Sequence, residues 1–274
     1  MGSLSEHINQ LHASEAFSKQ APVFDQLYGS NSIIAYKRQR VREHILKYAQ
    51  PGESMLELNC GTGEDALFFA QNGFTIHATD ISEEMLSMLN QKVKASGLEE
   101  MISTESCSFS ELVTLNNQGP FDVVYSNFGG LNCTSELDKV LFQVKPLIKP
   151  GGTITLVIIS KFCLWETLLI FKGKFKTAFR RFFSKRGRKA HIEGHYFKCW
   201  YYNPSFIQNI LKKDFHLLNV EGLCTIVPPS YIENFAEKYP KAFSFLRRKE
   251  DQLKSKWPWK YLGDYFIISF KKNI

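Results

Sequence analysis

The run Met55-Leu-Glu-Leu-Asn-Cys-Gly-Thr-Gly63, followed by Ile76-His-Ala-Thr-Asp80, concentrates the residue types that hold a nucleoside. The pattern reads as strand, tight turn, helix, second strand, and an acidic residue at that strand's end. A glycine turn lets backbone N–H groups approach a ligand, and a carboxylate accepts hydrogen bonds from ribose hydroxyls. Asp80 lies nineteen residues after Gly61, close to the roughly 20 expected of a ribose-binding acid. Glu57 precedes the turn and Glu64 follows it. Carboxylates so placed repel a pyrophosphate and suit a cationic ligand such as a sulfonium. Nor is the turn the G-x-G-x-x-G of dinucleotide sites. Asn59 takes the first turn position, and asparagine tolerates the positive φ required there better than most residues.

This stretch resembles motif I of the class I S-adenosylmethionine-dependent methyltransferases. Three further matches follow in that family's order. Asp80-Ile-Ser-Glu-Glu-Met85 is similar to the segment after the acidic residue. Phe121-Asp-Val-Val-Tyr-Ser-Asn127 resembles the fourth strand and its tip. Leu147-Ile-Lys-Pro-Gly-Gly-Thr-Ile-Thr-Leu-Val157 resembles the turn into the fifth strand. The resemblance covers about residues 50–160. It implies S-adenosyl-L-methionine as cofactor, with Glu57 toward the methionine ammonium. Asn59, Cys60, Gly61, Thr62 and Gly63 would wrap the amino-acid part, and Asp80 would take the ribose hydroxyls. Ile81 and Met85 would flank adenine. Ser108, beside Phe109, takes the place of the acid that often meets adenine's amine. Asn127 and Phe128 would face the methionine and the transferred methyl. In this family an N-terminal piece often caps the cofactor, which brings in Tyr28 beside Phe24; both also serve as ordinary core packing.

Methyl transfer from a sulfonium is an in-line displacement in which positioning and desolvation carry much of the rate. A hydroxyl nucleophile also calls for a general base, most often histidine. His191 and His195 are the candidate bases, and Tyr202, Tyr201 and Asn132 are candidates for orienting substrate. The expected reaction is transfer to a small hydrophobic or aromatic acceptor, with oxygen favoured. Two alternatives stand beside it: a non-catalytic protein that binds the donor or its demethylated product, and an RNA or DNA methyltransferase. Ser126-Asn-Phe-Gly-Gly130 lacks the paired prolines of exocyclic-amine enzymes, so nucleic acid is the weaker reading. No metal site is expected. The six cysteines are scattered without a C-x-x-C, which argues against a disulfide framework or structural zinc.

The elements that must position these residues follow from periodicity. Residues 1–50 read as a helical cap, with apolar pairs at helical spacing up to Pro51-Gly52. Strands are expected near 54–59, 74–79, 101–106, 121–126 and 152–159, and helices near 63–72, 82–95 and 134–146. A helix from Asn203-Pro204, strands at 215–225 and 264–270, and a helical excursion at 228–259 complete the chain. The fold class is α/β: a Rossmann-like, doubly wound, seven-stranded and mostly parallel sheet. The core comprises 51–160 and 200–274, with 264–270 as an antiparallel insertion at the sheet edge.

Residues 161–199 stand apart as a helical insertion after the fifth strand. Phe171, Phe175, Phe179 and Phe183 recur every fourth residue, among lysines and arginines that include Arg180, Arg181 and Lys185. The bland reading packs the rings on the core. The functional one is a substrate lid or a docking face for an acyl carrier protein or an anionic membrane surface. The net charge of +7 agrees with an acidic partner. With no apolar span of roughly 18 residues and a polar first twenty, a soluble, cytoplasmic protein is expected.

Overall fold

A computed structural model describes residues 4–29, 31–232 and 234–274. Two helices lead: α1 (Leu4–Gly29) and α2 (Ser32–Ile45), the second capped by the Asn31 side chain on the N–H groups of Ile33 and Ile34. Strands and helices then alternate: β1 (Ser54–Leu58), α3 (Glu64–Gln71), β2 (Thr75–Asp80), α4 (Glu83–Ser96), β3 (Ile102–Ser106), β4 (Phe121–Ser126), α5 (Leu137–Val144) and β5 (Ile148–Ile159). After β5 come α6 (Leu164–Thr167), α7 (Phe175–Phe179) and a hairpin of β6 (Arg188–Ile192) and β7 (His195–Cys199). The chain closes with α8 (Pro204–Leu211), β8 (Phe215–Leu223), α9 (Phe235–Lys238), α10 (Pro240–Leu253) and β9 (Tyr265–Lys272).

The seven-stranded sheet has the order β3-β2-β1-β4-β5-β9-β8. Strands β1 to β5 pair in parallel, and β9 runs antiparallel to both its neighbours. The expected antiparallel strand is therefore present, but it lies between β5 and β8, and β8 forms the edge. Consecutive residues feed opposite faces: Met55, Val123 and Ile267 enter one core, and Leu56, Val124 and Ile268 the other. A sheet apolar on both faces must be covered twice, as parallel α/β sheets are.

The region after β5 departs from the expected helix. Short helical turns occupy 164–179, and residues 188–199 form the hairpin. Glu193 and Gly194 both have positive φ at its tip, which is the two-residue turn that matches strand twist. The aromatic stripe does not pack as the bland reading required, since Phe171, Phe175, Phe179 and Phe183 are all exposed. Arg181 is instead the buried member. It donates to Glu166, to Asp264, and to the Ser160 and Asp264 carbonyls, pinning the insertion to β5 and β9. Arg180 joins it on Glu166, so neither arginine is free for docking.

Candidate functional site

The turn after β1 carries its strain where expected. Asn59, Gly61 and Gly63 all adopt positive φ. A Cβ at Gly63 would lie 2.1 Å from Leu89 Cδ1, so only glycine lets α4 close on the turn. Gly61 N–H donates to Asp80 Oδ2 and Ser82 N–H to Oδ1, each at 2.9 Å. Asp80 is thereby oriented at the end of β2, and each oxygen keeps a second lone pair. Burial raises its pKa, against the pull of those backbone donors.

A cavity of about 170 Å³ opens beyond the carboxyl ends of β1, β2 and β4, the place where open α/β sheets take ligands. Its floor includes Glu57, Asn59, Cys60, Gly61, Thr62 and Asp80; its walls include Ile81, Met85, Phe109, Asn127 and Phe128. Eleven of the fourteen expected cofactor residues therefore converge. Gly63 shapes the turn without lining the space. Ser108 does not line the space, and its hydroxyl donates at 2.7 Å to Gln10, which does. Tyr28 borders a neighbouring groove and donates to Gln20.

The cavity's electrostatics are acidic at one end. Glu57 is 2% exposed, with the buried Tyr125 hydroxyl beside its carboxyl; Glu57 Oε2, Asn59 Oδ1 and Asn127 Oδ1 make no hydrogen bond of normal geometry among the described residues. Three buried acceptors left open are costly unless a donor or cation completes them. Burial, then the Asp65 carboxylate, holds the Glu57 pKa well above the ordinary carboxylate range. Asp65 itself is saturated by Arg38, Arg42 and Asn127 at 2.7, 2.7 and 2.9 Å. This cluster was missed in the sequence. Its one local hint is an acid in the first turn of α3.

Helix α1 is the roof. Gln10, Ala13, Ser14, Phe17 and Phe24 line the cavity from above. Three latches hold the helix down: Gln10 on Ser108, Ser18 on Ser82, and Asp25 on Thr62 and Lys92. At about 170 Å³ the space beneath α1 is smaller than the roughly 300 Å³ at which ligand pockets begin.

A family model described as a methyltransferase domain matches residues 55–152, the stretch that builds β1 to β5 and the turn. Residues 55–152 thus carry a methyltransferase domain, set in the Rossmann-like fold of S-adenosylmethionine-dependent methyltransferases. It is 30% identical over 131 residues to an uncharacterized methyltransferase of Synechocystis sp., covering 46% of this chain and 58% of that one. It is 28% identical over 144 residues to a demethylmenaquinone methyltransferase of Leptospira interrogans, covering 50% and 56%. The chain thus spans a little over half the length of these curated relatives. The Burkholderia thailandensis 1,6-didemethyltoxoflavin-N1-methyltransferase shares the fold, with a TM-score of 0.58 and 14% identity over 100% of this chain and 93% of that one.

The methyltransferase fold does not bring the expected catalytic residues to the cavity. His195 pairs with Glu15 on α1 at 3.2 Å, and His191 packs on Tyr196 across the hairpin; neither lines the cavity. Tyr202 is buried, stacks on Phe206 and donates to the Thr134 carbonyl. Burial pushes its phenol pKa up, so it is a structural tie. Asn132 is likewise consumed, bonding Ile159 and Trp200 backbone groups. Tyr201 lies under the Arg181 guanidinium. No histidine lines the cavity among the described residues. A thiol pair that sequence distance concealed does touch it. Cys133 lines the cavity and hydrogen-bonds Cys199, which raises the Cys133 pKa and lowers that of Cys199. Among the described residues no group of three or more His, Cys, Asp or Glu is placed to hold a metal ion.

Proposed function

We propose that the cavity binds S-adenosyl-L-methionine and that the protein transfers its methyl group to a small hydrophobic or aromatic acceptor, oxygen being the favoured nucleophile. The observation that carries this reading is the trio of buried, unpartnered acceptors at Glu57, Asn59 and Asn127. Such a set fits an ammonium and a neighbouring cationic sulfur, and it disfavours a phosphate. When bound, the donor supplies an electrophilic methyl group on a good leaving group. Asp80 accepts the ribose hydroxyls through its free lone pairs. Ile81, Met85 and Phe109 provide the apolar slot for adenine. Phe17, Phe24 and Phe128 exclude water from the acceptor end, and α1 shuts it.

With no histidine at hand, an acceptor that ionises readily suits the cavity best. A phenol or quinol-like hydroxyl does so far more readily than an alcohol. The relatives named for demethylmenaquinone methylation support an aromatic acceptor. Presentation by an acyl carrier protein or at a membrane surface remains part of this reading. The lack of a histidine at the cavity also supports a second reading, a donor-binding protein without turnover. Incubation with isotopically labelled donor and a panel of phenols and hydroquinones separates the two. Label should enter the organic phase. Tight calorimetric binding without transfer to any acceptor favours the second reading. In the same assay Asp80→Ala should weaken donor binding about 10- to 100-fold, the worth of hydrogen bonds to a charged group; unchanged affinity removes Asp80 from the site.

A further inference from the structure

The segment after β5 turns outward the side chains that chains normally bury. Phe171, Phe175 and Phe183 are 87%, 58% and 71% exposed. Lys172, Lys174, Lys176, Lys185 and Arg186 stand exposed among them. Between Lys161 and Ala190 the one acid, Glu166, is 2% exposed and consumed by Arg180 and Arg181; a second acid, Glu193, is exposed at the hairpin tip. These five cations make no ion pair with a carboxylate among the described residues.

Just after Phe183 along the chain, Lys185 and Arg186 reach a groove of about 510 Å³ bordered by α1 and the β6–β7 hairpin. Lys185, Arg186, Lys189 and Lys198 gather on it, with His12 at its α1 side. Glu6 also reaches it, but its carboxylate already accepts from Thr134 and Ser135. Trp200 lines the same groove at 9% exposure, and its indole N–H has no partner among the described residues.

We propose that this face is a docking surface for an anionic lipid bilayer. Phe171, Phe175 and Phe183 insert at headgroup depth, the flanking lysines meet the surface charge, and the basic groove takes lipid phosphate. Rings and cations alternate within one or two residues of each other. Lysine stems can reach up to the headgroups while the rings go down. A protein interface of comparable affinity would instead gather its rings into a core with charge at the rim. The surface is also tied to the cavity. Asn9 on α1 donates to the Lys198 and Cys133 carbonyls and accepts from Lys198 N–H, and Phe17 packs on Phe197. The roof and the docking hairpin are one strapped unit. Docking stands on its own; only the idea that a hydrophobic acceptor enters from the bilayer rests on the proposed reaction.

Co-sedimentation of the full chain with phosphatidylcholine vesicles, with and without phosphatidylglycerol, tests it. Binding should be at least about tenfold stronger to the anionic vesicles and should fall as salt rises. Replacing Lys172, Lys174 and Lys176 by Glu should cost about fivefold per position or more. The triple change Phe171→Ser, Phe175→Ser, Phe183→Ser should cost at least about tenfold. Phe142→Ser, at a 57% exposed ring on α5, should change nothing, and circular dichroism should show every variant folded. Equal binding to both vesicle types, or undiminished binding by the aromatic triple, overturns the proposal. So does a concentration-dependent dimer abolished by that triple, which would assign the face to a second copy. Transfer to a water-soluble acceptor, read without vesicles, reports on the reaction alone. A variant that loses vesicles but keeps turnover separates the two readings.

Discussion

At the residue scale the site is an arrangement of carboxylates with different duties. Asp80 is oriented by two backbone donors, Asp65 is neutralised by two arginines, and Glu57 is left incomplete. The raised Glu57 pKa has a direct thermodynamic consequence. A group whose folded pKa lies above its unfolded value contributes stability below the unfolded value and loses it as pH rises through the folded one. Glu57→Gln should therefore stabilise the free protein at neutral and higher pH by about 0.5–2 kcal/mol, read as a higher thermal midpoint. The same change should weaken donor binding. A cation seated beside Glu57 favours its ionised form, so binding should release a proton and tighten with pH. Calorimetry in two buffers of different ionisation enthalpy detects that release; identical heats would remove Glu57 from the binding equilibrium.

The elements decide which residues the site can use. The strand-turn-helix unit was legible because its constraints are local. A positive φ at Asn59, two glycines and an acid at the end of β2 are fixed by near neighbours. Helix α1 was legible as a cap, but not its latches, which join Gln10 to Ser108 and Asp25 to Thr62 across the fold. The insertion's phenylalanines, repeating every four residues, left core packing and a docking face both open. Periodicity reports a face, and nothing local says whether that face meets a core. The narrow cavity under α1 predicts that α1 moves to admit a donor, and Pro22 inside the helix removes one backbone hydrogen bond. Amide exchange across residues 4–29 should slow several-fold when S-adenosylhomocysteine is added, while exchange in β4 stays constant. Unaltered exchange in α1 would mean that entry follows another route.

For the whole molecule, a buried ionic network ties the cap to the far side of the sheet. Arg40 of α2 reaches Glu221 on β8 at 2.9 Å and donates to Tyr36 at 2.9 Å, with Glu250 of α10 at 3.7 Å. Glu250 in turn accepts the N–H groups of Cys224, Thr225, Ile226 and Val227, replacing a β-ladder where β8 ends. Burial raises the Glu221 carboxyl, but His44, Lys47 and Arg40 together outweigh it and hold its pKa well below the usual range. A depressed folded pKa contributes stability above the unfolded value of roughly 4, and that stability is lost as pH falls through the folded one. Urea unfolding should therefore show stability declining below about pH 4, and Glu221→Gln should flatten the decline. Arg40→Met should cost about 3–5 kcal/mol at neutral pH, because it strands buried carboxylates.

The sequence by itself determined the sheet, the glycine-cornered turn and the acid nineteen residues beyond it. Those features depend on alternation, backbone conformation and short spacing, all of which are written in neighbouring residues. Only the tertiary structure decided that His191, His195 and Tyr202 stay outside the cavity, that Asp65 and Cys133 enter it, and that the phenylalanine stripe faces outward. Each of those outcomes depends on which distant segment arrives at a given face. That is settled by packing the whole chain, and no local pattern encodes it.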